Sequence, residues 1–395
     1  MIQSLFPHVR QQIQSWFTKA QKTVDPEEDL IELPDTLWAE LSQRLASLSS
    51  PTAYQTTIQE AIATGVTTWQ KNLEAANHVV ILAHPVEAIA KILQDSFAHW
   101  DSPPALEILT PFSALHRPQN PLTLTQRIQQ ALQPYPHIHL NPSQEADHSL
   151  DVDALEERQT LIVIPCLEQC FLRSIGGWES VELLRDLMIQ NPQCFWAIGC
   201  NHWAWDFLDF VCQVSAYFSQ IETLPKLDAT LLEEWLNPIT QTVVAPKLLS
   251  GEDAEPTKTY WEALASQSSG VSQIATYLWL QSLRIKPDAV QDDRVPSLNN
   301  PEMVLYETKP YLPSLPSLEP SDRYLLHSVL IHGSITRSHL ALSLGESESQ
   351  IQARVQWLLR ADLLEAKQGS LSVQPSHYQK VVRELSNNNF FVGKD

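Results

Sequence analysis

The spacing of apolar side chains divides the chain into helical and strand-like stretches. In residues 1–75 apolar positions recur every three or four residues, as on one face of a helix. The first stripe runs from Ile2 to Phe17, and further helices are predicted over Leu37–Leu48 and Tyr54–Leu73. The spacing predicts an N-terminal helical region packed on the next domain. The alternative is that the first stripe binds a partner protein or a membrane surface.

In residues 76–225 the pattern changes to short apolar runs that alternate with helical segments. Such alternation predicts an α/β domain with a mostly parallel sheet. The predicted strands are His78–Ala83, Ala105–Thr110, Thr160–Ile164 and Cys194–Gly199, with two shorter ones at His137–Leu140 and Gln220–Leu224. The predicted helices between them are Val86–Trp100, Leu122–Leu132, Glu179–Ile189 and Trp203–Tyr217.

Two further regions follow the α/β domain. Residues 226–285 are predicted to form a helical lid, because helical spacing recurs there. Its helices are Ala229–Leu236, Lys258–Ala265 and Val271–Leu283. Residues 286–320 contain seven prolines, which favour extended chain over helix, and are predicted to be a linker.

Residues 321–395 have the pattern of a separate small domain. Three helices are predicted at Asp322–His332, Ile335–Gly345 and Ser347–Leu364, the last with Ser347 and Gln350 as a capping box. Gln368-Gly369 then forms the turn of a predicted hairpin. Three helices and a hairpin predict a winged helix, which a last helix at Pro375–Leu385 follows.

The charge balance limits the classes of partner. The chain has 46 acidic and 26 basic residues and a net charge of −20, so its surface as a whole repels nucleic acid and anionic lipid. Residues 321–395 depart from this balance, with eight basic and seven acidic residues. The global charge therefore does not exclude DNA binding by this segment.

The five cysteines lie between Cys166 and Cys212, mostly in apolar sequence. The chain starts without a signal-peptide pattern and has no apolar run of membrane-spanning length, so we expect reduced cysteines and a cytoplasmic location. Zinc binding through Cys166-x3-Cys170 and Cys200-x-His202 is an alternative, but this spacing fits no common zinc pattern. His137-x-His139 offers two side chains on one strand face and no third ligand. No metal and no cofactor are expected.

The turn after the strand at 78–82 reads Ala83-His-Pro-Val-Glu-Ala-Ile-Ala90. Residues 76–285 resemble the AAA+/STAND class of P-loop ATPases, in which this turn carries Gly-x4-Gly-Lys-Ser/Thr. In that register Ala83 and Ala88 replace the glycines, Ile89 the lysine and Ala90 the hydroxyl residue. Glu87 adds negative charge, and Lys91 comes two positions late. The resemblance thus implies a P-loop NTPase-like fold with a degenerate Walker A motif.

Two further positions carry the resemblance. The family places an acidic pair after the strand that corresponds to Leu161–Ile164, where this chain has Pro165 and Cys166, with Glu168 as the first carboxylate. We expect Glu168 to be a helix-start charge or a partner of Arg173. Asn201 follows the next strand at the family's sensor position. The alternative is that Asn201 is a helix N-cap.

These observations predict a catalytically silent, P-loop NTPase-like scaffold or regulatory protein that acts through protein–protein contacts. Its partner surface would be the N-terminal stripe or the tail Asn387–Phe391. The alternatives are a winged-helix DNA-binding regulator that uses Arg354, Arg360 and Lys367, and a residual ATP-binding protein with a divergent loop. The resemblance favours the first, because a winged helix in STAND-like proteins commonly packs on the nucleotide domain.

Overall fold

A computed structural model describes residues 30–101, 104–113, 115–136, 138–140, 158–244, 256–287, 298 and 304–390. The chain forms two compact units. The smaller one comprises Met1–Ser47, Asn237–Ala254 and Trp279–Pro310, and the larger one comprises Leu48–Leu236, Glu255–Leu278 and Tyr311–Asp395. The predicted stripe from Ile2 to Phe17 lies outside the described residues.

The first part of the described chain contains two helices before the first long strand. Its elements are β1 (Ile31–Glu32), α1 (Asp35–Ser47), α2 (Thr52–Lys71), β2 (His78–Ala83), α3 (Ile89–Ala98), β3 (Glu107–Leu109) and α4 (Leu124–Leu132).

The middle part continues the alternation and then becomes helical. Its elements are β4 (Thr160–Ile164), α5 (Glu179–Gln190), β5 (Cys194–Asn201), α6 (His202–Cys212), β6 (Ile221–Thr223), α7 (Ala229–Val243), α8 (Pro256–Ser268), α9 (Ser272–Ser282) and β7 (Leu283–Ile285).

The last part ends in a group of short elements. They are β8 (Tyr306–Glu307), α10 (Pro320–His332), β9 (Ile335–Thr336), α11 (Arg337–Leu344), α12 (Glu348–Arg360), β10 (Leu364–Lys367), β11 (Ser370–Val373) and α13 (Tyr378–Asn387).

The larger unit is built on a five-stranded sheet in the order β3-β4-β5-β2-β6, and every pairing in it is parallel. Every residue of β2, β4 and β5 is buried, whereas the edge strand β6 is exposed. Continuous burial explains why the central strands are uninterrupted apolar runs. The predicted α/β class with a parallel sheet is confirmed.

The register of the sheet brings distant residues together at one edge. Ala83 at the end of β2 pairs with Asn201 at the end of β5, and Ile164 at the end of β4 pairs with Ile198. Carboxyl ends of parallel strands share one edge, where ligands of open α/β sheets usually bind.

The predicted strand at His137–Leu140 is wrong for residues 138–140, which are not in a strand, and His137 lies outside the described residues. The side chain of Asn191 replaces the strand partner. Its Oδ1 accepts from the His139 N–H (2.7 Å), and its Nδ2 donates to the His139 carbonyl (3.0 Å). The backbone groups of His139 are thus satisfied without a sheet.

The smaller unit contains an antiparallel sheet in the order β1-β7-β8. Ile31 pairs with Ile285, and Leu283 pairs with Glu307. The sequence predicted Leu283 as the end of a helix, and this is wrong, because α9 stops at Ser282 and Leu283 opens β7. A single apolar residue at a helix end carries no signal for which structure follows it.

We call residues 320–387 the C-terminal module. Its helices α10, α11 and α12 accompany an antiparallel sheet in the order β10-β11-β9. Gln368 and Gly369 both have positive φ, 51° and 85°, as a tight hairpin turn requires. The capping box of Ser347 and Gln350 is confirmed. Ile335 and Thr336, predicted as helical, form β9 instead, and Thr336 caps α11 by accepting from the His339 N–H.

None of the described helices has the length and apolar composition needed to cross a lipid bilayer. All five cysteines are free thiols. In the part of the chain that the structure describes, no three His, Cys, Asp or Glu side chains come together as metal ligands.

Candidate functional site

The candidate site lies at the carboxyl edge of the parallel sheet, where residues 84–88 connect β2 to α3. We call this segment the β2–α3 turn. The Glu87 N–H donates to the His84 carbonyl (2.9 Å), and Ala88 precedes the helix with φ −84° and ψ 66°. The helix therefore starts at Ile89 and not, as predicted, at Val86.

The four residues predicted to be degenerate Walker A positions carry no lysine and no hydroxyl group. Ala83 is buried at the end of β2, and Ala88 and Ala90 are exposed. The Ile89 side chain points into the core, because its Cγ1 lies only 2.9 Å from where a Cβ on Gly199 would sit. The lysine position is thus part of the packing between α3 and β5.

Glu87 has a structural role in this turn. Its carboxylate accepts from the Tyr54 hydroxyl (3.0 Å), the Ser272 N–H (2.7 Å) and the Ser272 hydroxyl (2.6 Å). Burial raises the pKa of Glu87, and the hydrogen bonds from Ser272 and Tyr54 oppose this shift. Because Ser272 opens α9, the carboxylate also faces a helix N-terminus, where negative charge is favourable. Glu87 therefore joins α2, the turn and α9.

Lys91 does not replace the missing lysine. Its Nζ donates to the Leu48 carbonyl and contacts Asp95 at 3.2 Å, one turn further along α3. The Lys91 ammonium group is thus bound to Leu48 and Asp95 and does not point to the β2–α3 turn.

After β4 the chain passes through Pro165 and Cys166 into a 3-10 turn, Leu167–Cys170, which buries Glu168. Burial raises the pKa of Glu168 to about 7, although hydrogen bonds from Asn201 and the charge of Arg117 lower it. Its Oε2 atom has no hydrogen-bond partner among the described residues. A buried carboxyl oxygen without a partner makes the ionised form costly.

Of the two roles predicted for Glu168, the helix-start position is observed, in the first turn of the 3-10 segment Leu167–Cys170, whereas the pairing with Arg173 is wrong. Arg117 is the cation beside Glu168, and it donates to the main-chain carbonyls of Glu168 and Phe171. Arg173 instead donates through Nη1 to the Ser343 carbonyl (3.4 Å). Arg117 comes from the segment between β3 and α4, and its sequence surroundings gave no signal of this contact.

Asn201 is the N-cap of α6, as its alternative interpretation predicted. Its Oδ1 accepts from the Ala204 N–H (2.8 Å), which satisfies one free amide of the first turn. The sequence did not indicate a second contact, in which Nδ2 donates to the Ile331 carbonyl near the end of α10 (3.3 Å). Asn201 therefore links the sheet edge to the C-terminal module.

The end of α10 covers the sheet edge. A Cβ on Gly333 would lie 3.4 Å from Asn201 Nδ2, 3.6 Å from the Pro85 carbonyl oxygen and 3.7 Å from Glu168 Oε1. Gly333 therefore lies near the β2–α3 turn, the 3-10 turn after β4 and the end of β5, with room for little more than one added methyl group.

His332, the residue before Gly333, holds the end of α10 in place through its buried imidazole. His332 Nε2 accepts from the Arg173 N–H (3.1 Å), so the proton resides on Nδ1, which donates to the Ser328 carbonyl (2.7 Å). Burial lowers the pKa of His332 far below its ordinary value, and the nearby cation Arg117 acts in the same direction. The neutral His332 side chain thus connects the end of α10 to the main chain at Arg173.

A second contact joins the start of α13 to the same edge. The Tyr378 hydroxyl accepts from Trp203 Nε1 (3.2 Å) and lies 3.4 Å from His84 Nδ1. Trp203 also packs edge-on against His327 of α10, with ring centroids 5.6 Å apart. Aromatic residues after β5 therefore serve to pack the C-terminal module.

The three cations predicted for DNA binding all lie in the C-terminal module. Arg354 pairs with Glu346 at 3.2 Å and Lys367 with Glu365 at 2.9 Å, whereas Arg360 is exposed at the end of α12. Arg354 and Arg360 are six residues apart, which places them on different faces of a helix. The predicted tail residue Phe390 packs on Tyr324 with centroids 4.8 Å apart, and Phe391 lies outside the described residues.

No protein-family model matches the sequence, and no curated protein matches it. Solved structures do show a likeness. Cdc6p from Pyrobaculum aerophilum is 12% identical with a TM-score of 0.37, covering 91% of this chain and 100% of that one. The Aeropyrum pernix ORC1 protein in complex with DNA is 10% identical with a TM-score of 0.36, covering 88% and 98%. The Walker-type ATPase PABY2304 of Pyrococcus abyssi is 12% identical with a TM-score of 0.32, covering 85% and 96%.

Proposed function

We propose that this chain is a catalytically silent, P-loop NTPase-like scaffold or regulatory protein that acts through protein–protein contacts. The observation that carries the proposal is which side chains lie at the carboxyl edge of the parallel sheet. Gly333 lies near the β2–α3 turn, Glu168 and Asn201, the turn itself holds a buried Glu87, and the helix after it begins with the buried Ile89. A triphosphate there would meet a carboxyl group and a helix end, and no lysine or hydroxyl donor.

We further propose that the C-terminal module is a winged helix with a structural role. Its helices, its hairpin and its short third strand support this assignment. Its contacts through Ile331, Gly333 and Tyr378 support a fixed docking on the carboxyl edge of the parallel sheet. The five-part domain organisation and the cytoplasmic location stay predictions that go with this proposal.

Calorimetry with Mg-ATP tests the silent site. We expect no heat of binding and no turnover of ATP. Micromolar affinity for Mg-ATP would contradict the proposal and favour the residual ATP-binding protein. A thermal melt of the same sample, with and without Mg-ATP, checks the result by a second readout, because a bound ligand raises the melting temperature.

An exposed apolar surface supports the proposed protein contacts. Ile175 is 98% exposed, Leu122 66% and Leu342 50%, and all three line one open groove of the larger unit. Exposed apolar side chains that lie together mark interaction sites more often than scattered ones. The partner that fits this surface is a protein that presents apolar side chains.

Affinity purification with a matched control tests this surface. Ile175→Asp should remove a partner that the unchanged protein retains, whereas Phe210→Asp, at an 82% exposed position on α6, should retain it. If both variants hold the same partners as the unchanged protein, the apolar surface is not the contact.

DNA binding is the second candidate function, and the exposed Arg360 together with the nearly neutral charge of residues 321–395 favours it. A salt-dependent mobility shift distinguishes it from the scaffold. Loss of binding in the Arg354→Ala, Arg360→Ala double variant would support DNA recognition. The ion pair between Arg354 and Glu346 leads us to expect no shift by the unchanged protein.

A further inference from the structure

The open groove that holds Leu122, Ile175 and Leu342 has a volume of about 740 Å³, which is room for several side chains. Residues 119–122 before α4 form one part of its lining, and residues 342–345 at the end of α11 form another. All of these residues belong to the larger unit. None of the predicted Walker A or Walker B positions lines the groove.

Ile175 is presented at the tip of a hydrogen-bonded turn. The Gly177 N–H donates to the Ser174 carbonyl (3.0 Å), which closes a β-turn with Ile175 and Gly176 at its centre. Gly176 has a φ of +69°, as the third position of a type II turn requires. The Leu172 N–H donates to the Gly177 carbonyl (2.8 Å) and fixes the base of the turn. Little backbone entropy is therefore lost when Ile175 binds to another surface.

The same surface combines a projecting side chain with a recess. Ile175 is almost fully exposed, and the groove with Leu122 and Leu342 lies directly beside it. A twofold axis makes such a surface self-complementary, because each copy offers its projection to the recess of the other. Packing the two isoleucines in this way removes apolar surface from water at both ends of the contact.

The charge around the groove favours a second copy as the occupant. The chain carries a net charge of −20, so two copies as a whole repel each other. No charged side chain among the described residues lines the groove, and interface cores are typically depleted of charge. The segment 171–180, which carries Ile175, has one basic and one acidic residue, Arg173 and Glu179. Two copies therefore meet here without bringing like charges together.

We infer that two copies of this chain associate about a twofold axis, with Ile175 of each copy packed in the groove beside Leu122 and Leu342 of the other. The inference rests on the proposed function, because it names the partner of the apolar surface described there. An isologous contact closes after two copies, so it gives a dimer and no ring or filament.

The mass of the purified full chain in solution tests the inference. Light scattering after size exclusion, over a series of protein concentrations, measures this mass. We expect the mass of two chains at high concentration and a return to the mass of one chain on dilution. If the mass stays that of one chain up to millimolar concentration, the inference is overturned.

Two variants and a matched control locate the interface. Ile175→Asp should raise the dissociation constant of the dimer about a hundredfold or more, because both copies change and each lost apolar contact is worth about tenfold or more. Leu342→Lys should have a similar effect from the other side of the contact. Phe210→Asp, at an exposed apolar position on α6, changes the charge as Ile175→Asp does and should leave the dimer intact. Thermal melts check that each variant is folded.

A mixture of the two variants tests the reciprocal contact. In a mixed dimer the carboxylate introduced by Ile175→Asp meets the ammonium group introduced by Leu342→Lys, and the second contact keeps its original side chains. We expect the mixture to regain the mass of two chains although each variant alone has the mass of one. A dimer that persists in Ile175→Asp, or a mixture of folded variants that stays at the mass of one chain, overturns the inference.

Failure of the dimer is distinguishable from failure of the proposed function. If the purified chain is monomeric but the affinity purification with Ile175→Asp still loses a different protein, the dimer is overturned and the proposed protein contact is supported. If Mg-ATP binds with micromolar affinity while the mixture behaves as expected, the silent site is contradicted and the dimer is supported.

Discussion

Two carboxyl groups, Glu87 and Glu168, are buried at the carboxyl edge of the sheet, and their surroundings differ. Glu87 accepts hydrogen bonds from Tyr54 and twice from Ser272. Glu168 has an oxygen without a partner and a pKa raised to about 7. The difference shows that the β2–α3 turn is a structural junction, whereas the 3-10 turn after β4 holds a carboxyl group whose hydrogen bonding is incomplete.

Removing the Glu87 carboxylate should have the largest effect of the changes considered. Glu87→Ala leaves the buried Ser272 hydroxyl without this acceptor, and it leaves only 3.3 Å contacts for the Tyr54 hydroxyl, to the Gly270 carbonyl, and for the Ser272 N–H, to the Tyr54 hydroxyl oxygen. The expected cost is about 4 kcal/mol in the free energy of unfolding. Urea denaturation measures this. Glu74→Ala, at an exposed position before β2, should change the stability little. If Glu87→Ala lowers the stability no more than Glu74→Ala does, Glu87 does not join the three segments.

The second test uses the pH dependence that Glu168 imposes. Because its pKa is raised from 4.5 to about 7 in the folded protein, the folded state binds its proton more tightly than the unfolded state. Its contribution to stability is fully present below pH 4.5 and is lost as the pH rises to about 7. The shift corresponds to about 3 kcal/mol between these limits.

Glu168→Gln should remove this contribution to the pH dependence. The variant should gain stability relative to the unchanged protein at pH values above about 7, where the unchanged carboxyl group is ionised at the cost of its burial. Urea midpoints across the pH range measure the difference between the two proteins. A difference that does not vary with pH would show that Glu168 titrates normally.

Asn201→Ala should lower the stability by a smaller amount, and it should raise the pKa of the neighbouring Glu168 further. Loss of the cap on the Ala204 N–H costs about 1 kcal/mol. Because Asn201 also donates to Glu168 and lowers its pKa, the variant should steepen the fall of stability with rising pH. Asn201→Ser, which retains a capping oxygen, separates the two effects. An unchanged pH slope in Asn201→Ala would contradict the contact with Glu168.

The smallest expected difference separates two glycine variants. Gly333→Ala forces a side chain into φ +61° and ψ −55°, which lies outside the left-handed helical region and costs roughly 1–3 kcal/mol. Gly345→Ala, at φ +69° and ψ 26° inside that region and with nothing within 4 Å, should cost about 1 kcal/mol. Since all contacts at Gly333 are 3.4 Å or longer, backbone strain alone should set the difference between the two variants, at about 1 kcal/mol. A much larger loss for Gly333→Ala in thermal melts would show tighter packing there.

Local signals in the sequence predicted much of the fold. Uninterrupted apolar runs located β2, β4 and β5, and Ser347 with Gln350 marked the start of α12. Turn residues located the hairpin at Gln368-Gly369. Each of these features depends on residues that are close together in the chain, where spacing and propensity are informative.

The candidate site could be predicted only in part, because its contacts join distant residues. Tyr54 is 33 positions and Ser272 is 185 positions from Glu87. The contact between Asn201 and Ile331 spans 130 positions. The degenerate Walker A and Walker B positions stay predictions. The sequence carried no signal that Gly333 lies near Asn201 and the Pro85 carbonyl, or that Arg117, not Arg173, stands beside Glu168.

The hydrogen bond from the Ser272 amide to Glu87 has a consequence for measurement by hydrogen exchange. This amide opens α9 and would otherwise be free to exchange, as the first amides of a helix normally are. Its proton is accessible only when α9 separates from the β2–α3 turn and from α2. The deuterium uptake of that one amide should therefore report the opening free energy of the whole junction, and slow uptake at a helix start would identify the cooperative unit to which it belongs.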